Sequence, residues 1–123
     1  MMNLLERAKT IADGAKNLAI WVGSGGLVVS QEEAQARAET CLNCPLNEPG
    51  MAVTSEVASA TRAFLEFKNQ LRLRVNGEKS LHHCKGCGCV LRLLIWEPGD
   101  NIKNQMTQDE REKSPAFCWK LKL

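Results

Sequence analysis

Hydrophobic positions follow a helical period in two long stretches of the chain and lose it elsewhere. Leu4, Ala8, Ile11, Ala15, Leu18 and Val22 recur in steps of three and four, which predicts an amphipathic helix over residues 3–22. Gly14 weakens that helix by about 1 kcal/mol relative to alanine. Gly23-Ser24-Gly25-Gly26 ends it and reads as a flexible hinge. Leu27-Val28-Val29 is a short apolar link or edge strand. Ser30-Gln31-Glu32-Glu33 has the spacing of a capping box, so a second helix is predicted from residue 31 to about 40. After the turn cluster Asn47-Glu48-Pro49-Gly50, the residues Val57, Ala60, Phe64, Phe67 and Leu71 repeat the three–four step. They predict a long helix over 54–75 with Asn76-Gly77 as its C-cap. Val90-Leu91-Arg92-Leu93-Leu94-Ile95-Trp96 is β-prone, Glu97-Pro98-Gly99-Asp100 turns the chain, a short helix is predicted over 107–113, and residues 114–121 return as an extended tail. The fold class expected is α+β and mainly helical, with residues 1–30 as an N-terminal helix and hinge and residues 31–123 as a second domain carrying the inserted helix.

Leu, Ile, Val and Phe together make up 29 of the 123 residues. That is little above the level of about one fifth below which chains do not collapse. The core should therefore be thin, and a cofactor domain on a wide sheet is not expected. Sixteen basic against fourteen acidic residues leave a net charge of +2, without the basic excess of a DNA-coating protein. Tyrosine is absent and only three Phe and three Trp occur, which poorly supplies a stacking platform for single-stranded nucleic acid. The apolar run from Leu18 to Val29 is too short and too broken by glycine to span a membrane. The charged start of the chain, Glu6-Arg7-Ala8-Lys9, is unlike a secretory signal. The expectation is an intracellular chain with reduced thiols.

Under reducing conditions the six cysteines read as metal ligands rather than bridges. Cys84-Lys85-Gly86-Cys87-Gly88 has the form of a zinc knuckle, a tight turn that aims two sulfurs at one point, with glycine after the second cysteine. Cys41-Leu42-Asn43-Cys44-Pro45 is similar, with proline in the place of glycine. Cys41, Cys44, Cys84 and Cys87 make a four-sulfur set that closes a structural zinc site, with an iron–sulfur cluster as the alternative cofactor. Cys89 and Cys118 are further candidates. Cys118 replaces one of the four, or six thiolates hold two metals, or Cys89 is a small hydrophobe beside the site. His82 and His83 flank the second pair as surface or outer-shell residues.

The order Arg37, Cys41, Cys44, Pro45, then Cys84, Cys87, Cys89, Val90, then Cys118, Trp119 resembles the small zinc-ribbon proteins of tailed bacteriophages and prophages. The likeness covers less than half of the chain. It departs in the long inserted helix and in the polar segment of about twenty residues between Trp96 and Cys118. It implies a ribbon of two knuckles and a β-hairpin, a bound zinc ion, and an origin in a phage expressed in the cytoplasm of its host; it implies no chemistry.

No enzyme motif is complete. Ser24 sits in neither a nucleophile elbow nor a phosphate loop, and Asp109-Glu110-Arg111-Glu112 reads as a solvated charge run. A thiolate-saturated zinc has no open position. The expected function is non-catalytic: a structural or interaction module, a minor virion component, attached to a larger assembly or to a second copy through Val57, Phe64, Phe67 and Leu71. The alternative is a nucleic-acid-binding regulator using Lys68, Arg72 and Arg74, with Lys79, Lys85 and Arg92 nearby.

Overall fold

The computed structural model describes residues 4–49 and 55–123. Among the described residues it is α+β and mainly helical. The elements run α1 (Leu4–Gly23), α2 (Gln31–Leu42), β1 (Asn47–Glu48), α3 (Ser55–Asn69), β2 (His83–Cys84), α4 (Leu91–Leu94), α5 (Gly99–Gln105) and α6 (Gln108–Lys113), with 3-10 turns at Glu78–Ser80 and Trp119–Lys122. The two strands pair antiparallel, with Asn47 opposite Cys84 and Glu48 opposite His83. α1 packs on α5, α2 on α4, and α5 on the C-terminal 3-10 turn.

The Ser30 side chain accepts from the Glu33 amide at 3.2 Å and starts α2, as the capping pattern predicts. Thr107 caps α6 by accepting from the Glu110 amide at 3.1 Å. Ser24 follows α1, where its hydroxyl donates to the Trp21 carbonyl at 3.0 Å and its amide to that of Ile20 at 2.9 Å.

The inner face of α1 differs from the predicted stripe. Gly14, Asn17 and Trp21 are buried, Leu18 and Val22 are half-buried, and Ala15 is exposed. The side chains of Leu4, Ala8 and Ile11 lie outside the described residues. Gly14 decides this rotation. A β-carbon there would stand 2.1 Å from the Gly88 carbonyl oxygen, so only glycine lets α1 lie directly on the backbone of residues 88 and 89. Trp21 anchors the next turn, with its indole N–H on the Leu27 carbonyl at 2.7 Å. Residues 27–29 form no strand; the Val29 amide donates to the Trp96 carbonyl at 3.0 Å.

The inserted helix is shorter than predicted. It ends at Asn69, with Gln70 left-handed at φ 50° and the Leu71 amide bonded to the Glu66 carbonyl at 3.2 Å, a Schellman-type stop six residues before Asn76-Gly77. The Glu66 carboxylate then captures the Leu73 amide at 2.9 Å, and the Arg62 guanidinium donates to the Leu73 carbonyl. These side chains fold the chain back and bury Leu73. Gly77, with φ 81°, precedes the 3-10 turn at Glu78–Ser80 instead of capping the helix.

The Val90–Trp96 run corrects the expected β-hairpin. Val90 makes a single bridge to His83, and Leu91–Leu94 is helical. Leu91, Leu93, Leu94, Ile95 and Trp96 are all buried. A run enclosed on every side is uniformly apolar in either conformation, so its pattern does not separate helix from strand. The predicted turn at residues 97–100 opens into α5, and the extended tail is instead the 3-10 turn Trp119–Lys122.

Candidate metal centre

Three segments bring the cysteines together. α2 carries Cys41 in its last turn, and the Cys44 amide extends that turn by donating to the Cys41 carbonyl at 3.1 Å. The chain then reaches β1, and the Lys85 amide donates to the Leu46 carbonyl at 2.8 Å, which sets the first cysteine pair beside the second. Asn47 fixes the approach to β2, donating from its side chain to the Ser80 carbonyl at 2.8 Å and accepting from the His82 amide at 2.9 Å. The second cluster is a closed loop. The Gly88 amide reaches the Cys84 carbonyl at 2.7 Å, the Cys84 amide reaches the Cys89 carbonyl at 2.9 Å, and Gly88 takes φ 73°. The third segment is the C-terminal turn, which delivers Cys118, Trp119 and Lys120.

All six cysteines are free thiols; five are buried and Cys44 is half-buried. Arg37 joins the first and third segments. It lies one helical turn before Cys41, stacks over the Trp119 ring at 4.4 Å, and donates through one guanidinium nitrogen to the carbonyls of Ile95 at 3.0 Å and Glu97 at 2.7 Å. Trp119 in turn directs its indole N–H at Cys41 Sγ, 3.3 Å away. The spacing of Arg37 and Cys41 and the Cys118-Trp119 step are thus two sides of one contact.

Lys120 is 4% exposed, and its Nζ lies 4.0 Å from Cys84 Sγ. Burial works against its charge, but Cys87, Cys84, Cys89 and Cys118 outweigh it and hold the ammonium well above the ordinary lysine range. Cys84, Cys87 and Cys89 share protons. Hydrogen bonds from Cys84 and Cys89 hold Cys87 well below its usual value, and the same bonds, with burial, push the two outer thiols up. Burial pushes Cys41 up to about 11, against the opposing hydrogen bond from Trp119.

Two carboxylates lie close by. Glu97 is fully enclosed; Asn17 donates to one oxygen at 2.8 Å and Asn101 to the other at 2.6 Å, while burial lifts its pKa to about 7. Glu110 is buried and raised to about 7 by burial and by the Cys87 charge. It therefore does not belong to a solvated charge run, unlike exposed Asp109, which pairs with Lys113 at 2.9 Å. A cavity of about 20 Å³ between Asn17, Cys87, Cys89, Glu110 and Lys120 has room for a water molecule and not for an organic substrate.

The donor set fits a soft cation in its chemistry: buried sulfurs, a neighbouring ammonium, and N–H groups directed at sulfur from Trp119 and, at 3.8 Å, from Asn17 to Cys89. The side-chain positions set a limit. Among the described residues no group of three or more His, Cys, Asp or Glu is disposed to hold a metal ion, so no coordination geometry is assigned. His83 is buried with Nδ1 unbonded, and His82 is half-buried.

The other candidate residues lie away from the sulfurs. Val57, Phe64, Phe67 and Leu71 are 48%, 44%, 83% and 40% exposed, so α1 does not cover them; α3 turns Ala58 and Leu65 inward instead. Lys68 and Arg72 are exposed, whereas Arg74 lies 3.5 Å from Glu78 and Lys85 3.5 Å from Glu48. Sequence reasoning missed Lys120, Asn17, Glu97 and Glu110. No spacing marks them, since each becomes part of the site only when α1, α5, α6 and the C-terminal turn close over the second cluster. Among the described residues no helix is long and apolar enough to cross a membrane. No protein-family model, curated protein or solved structure matches this chain.

Proposed function

We propose that this chain is a non-catalytic metal-binding module in which cysteine thiolates from the two clusters hold a zinc ion. The observation that carries the reading is the enclosure of five of the six cysteines, drawn from three segments of the chain, with the buried Lys120 ammonium beside them. A buried cation without a negative partner is costly. Thiolates bound to a divalent soft metal retain net negative charge, which supplies that partner. The zinc would be structural, tying the end of α2, the Cys84–Cys89 loop and the C-terminal turn together. The phage setting and a place in a virion rest on the sequence resemblance alone. The exposed apolar residues of α3, Phe64 and Phe67 foremost, are the surface by which the module would dock on a larger assembly.

The test is metal removal. Purified under reducing conditions, the full chain should lose its cooperative thermal transition, or lose it at much lower temperature, when a chelator is added, and regain it with zinc. An unchanged transition after complete chelation would contradict the reading. Capture of nucleic acid that disappears as salt rises would favour the regulator instead.

A further inference from the structure

We infer that the outer face of α3 pairs with the same face of a second copy of this chain, the two helices antiparallel about a two-fold axis near Phe64. The inference goes beyond the metal-binding reading, because it stands on residues of α3 and not on the cysteines. It names the occupant of the face by which that reading docks the module.

α3 turns Ala58 and Leu65 inward and its larger side chains outward. Val57, Phe64, Phe67 and Leu71 follow one another in steps of seven, three and four, the spacing of a seam that packs on another helix. Leu27, 66% exposed, extends the patch, since the neighbouring Gly26 lies against the Phe64 ring: a β-carbon there would stand 3.7 Å from Phe64 Cε2. These five side chains leave an apolar area on the order of 500 Å² uncovered, toward the upper end of what a monomer exposes. A two-fold pair covers twice that, about the 1,000 Å² that a specific interface needs.

Two gradients along the face select a second copy and its direction. The first is size. Exposed residues in the N-terminal half of the face are small, Ser59, Ala60 and Ala63, and those beyond them are Phe64 and Phe67. A face that is small at one end and bulky at the other is complementary to its own reverse, as an isologous two-fold interface requires. In the antiparallel pair each Phe67 lies over the other copy's Ala60, and the two Phe64 rings meet at the axis. A parallel pair would set Phe67 against Phe67 and leave a gap between the alanines. The second gradient is charge. Lys68 and Arg72 are exposed at the C-terminal end, while nearby Glu66 is turned to the Leu73 amide and Glu78 to Arg62. The antiparallel pair keeps the cations of the two copies at opposite ends, and a parallel pair would set them side by side.

The test is sedimentation equilibrium of the reduced full chain supplied with zinc, from low micromolar to several hundred micromolar. A reversible monomer–dimer equilibrium is expected. Phe67→Ala should weaken the dimer by roughly 30-fold or more, as loss of a buried aromatic anchor does. It should leave the melting temperature of the dilute chain unchanged, because Phe67 is exposed in the single chain. Ser59→Glu should tighten the dimer several-fold by setting a carboxylate beside Lys68 and Arg72 of the other copy. In a parallel pair the two new carboxylates would face each other and weaken it. A chain that stays monomeric overturns the inference, whether it sediments instead with vesicles of anionic lipid or stays alone and leaves the face to an unlike protein. A dimer that Phe67→Ala does not weaken, or that Ser59→Glu does not tighten, overturns it as well. A dimer that forms equally in a chain that takes up no zinc would contradict the metal reading alone.

Discussion

Arg37 does at the scale of one residue what the two cysteine clusters cannot do by themselves. It is buried on α2, yet its donors finish the carbonyls of Ile95 and Glu97 at the end of the α4 segment, and its plane supports Trp119 against Cys41. Removing it leaves two buried carbonyls unpaired. Arg37→Ala should cost about 3 kcal/mol in denaturant unfolding, from charge-assisted hydrogen bonds of roughly 1.5 kcal/mol each at the low end. Arg37→Lys should recover only part of this, because an ammonium does not reproduce the planar stack and the fork of donors. Full recovery by lysine would mean that only the charge matters. Glu97, whose own carbonyl accepts from Arg37, makes a pH prediction. Its carboxyl is raised by burial from 4.5 to about 7, so the folded state holds a proton that the unfolded state has released. The stability this contributes is complete below about pH 4.5 and is lost as pH rises through about 7. Glu110 adds a slope of the same sign. Glu97→Gln should therefore reduce, without abolishing, the fall in unfolding free energy between pH 5 and pH 7. An identical pH profile for the variant and the parent would show that Glu97 is ionised throughout.

At the scale of elements, a helix-weakening glycine in the sequence becomes a packing requirement in the fold. Gly14→Ala gains up to about 1 kcal/mol of helix propensity. The added methyl, however, would sit 2.1 Å from Gly88 O and 2.5 Å from Gly88 C, against backbone that cannot swing away. Net destabilisation of about 1–3 kcal/mol is expected, read as a lower melting temperature. An equal or higher melting temperature would show that α1 does not rest on the Cys84–Cys89 loop. The elements that were legible are those set by local chemistry: the Ser30 cap, the short helix ending at Lys113 and the end of α1 at its glycine cluster. The elements that were not are set by distant partners. The stop of α3 at Asn69 depends on Glu66 and Arg62 turning to the backbone of Leu73, and nothing in the three–four repeat of Val57, Phe64, Phe67 and Leu71 announces it. That repeat marks the outer face, while the inner one, Ala58 and Leu65, has too few large side chains to register as a stripe. The α4 segment was misread because its burial is complete on all sides.

For the whole molecule, the thin core expected from composition is organised around sulfur. Cys41, Cys84, Cys87 and Cys89 are members of the same buried cluster as Trp21, Leu65 and Trp96. The cysteines were legible as a group because paired C-x-x-C spacing carries its own signal. The charges around them were not, because Lys120, Glu97 and Glu110 come from elements that meet only in the tertiary fold. The central claim is that this sulfur cluster is a thiolate site for a metal ion, and the mass of the intact chain tests it most directly. Under native electrospray conditions after reducing purification, the chain should appear as a species heavier by one zinc ion and lighter by the protons its ligand thiols have given up, reverting to the six-thiol mass on acidification. A chain that stays at the six-thiol mass when zinc is supplied, or that loses pairs of hydrogens to disulfides without taking up metal, would contradict it.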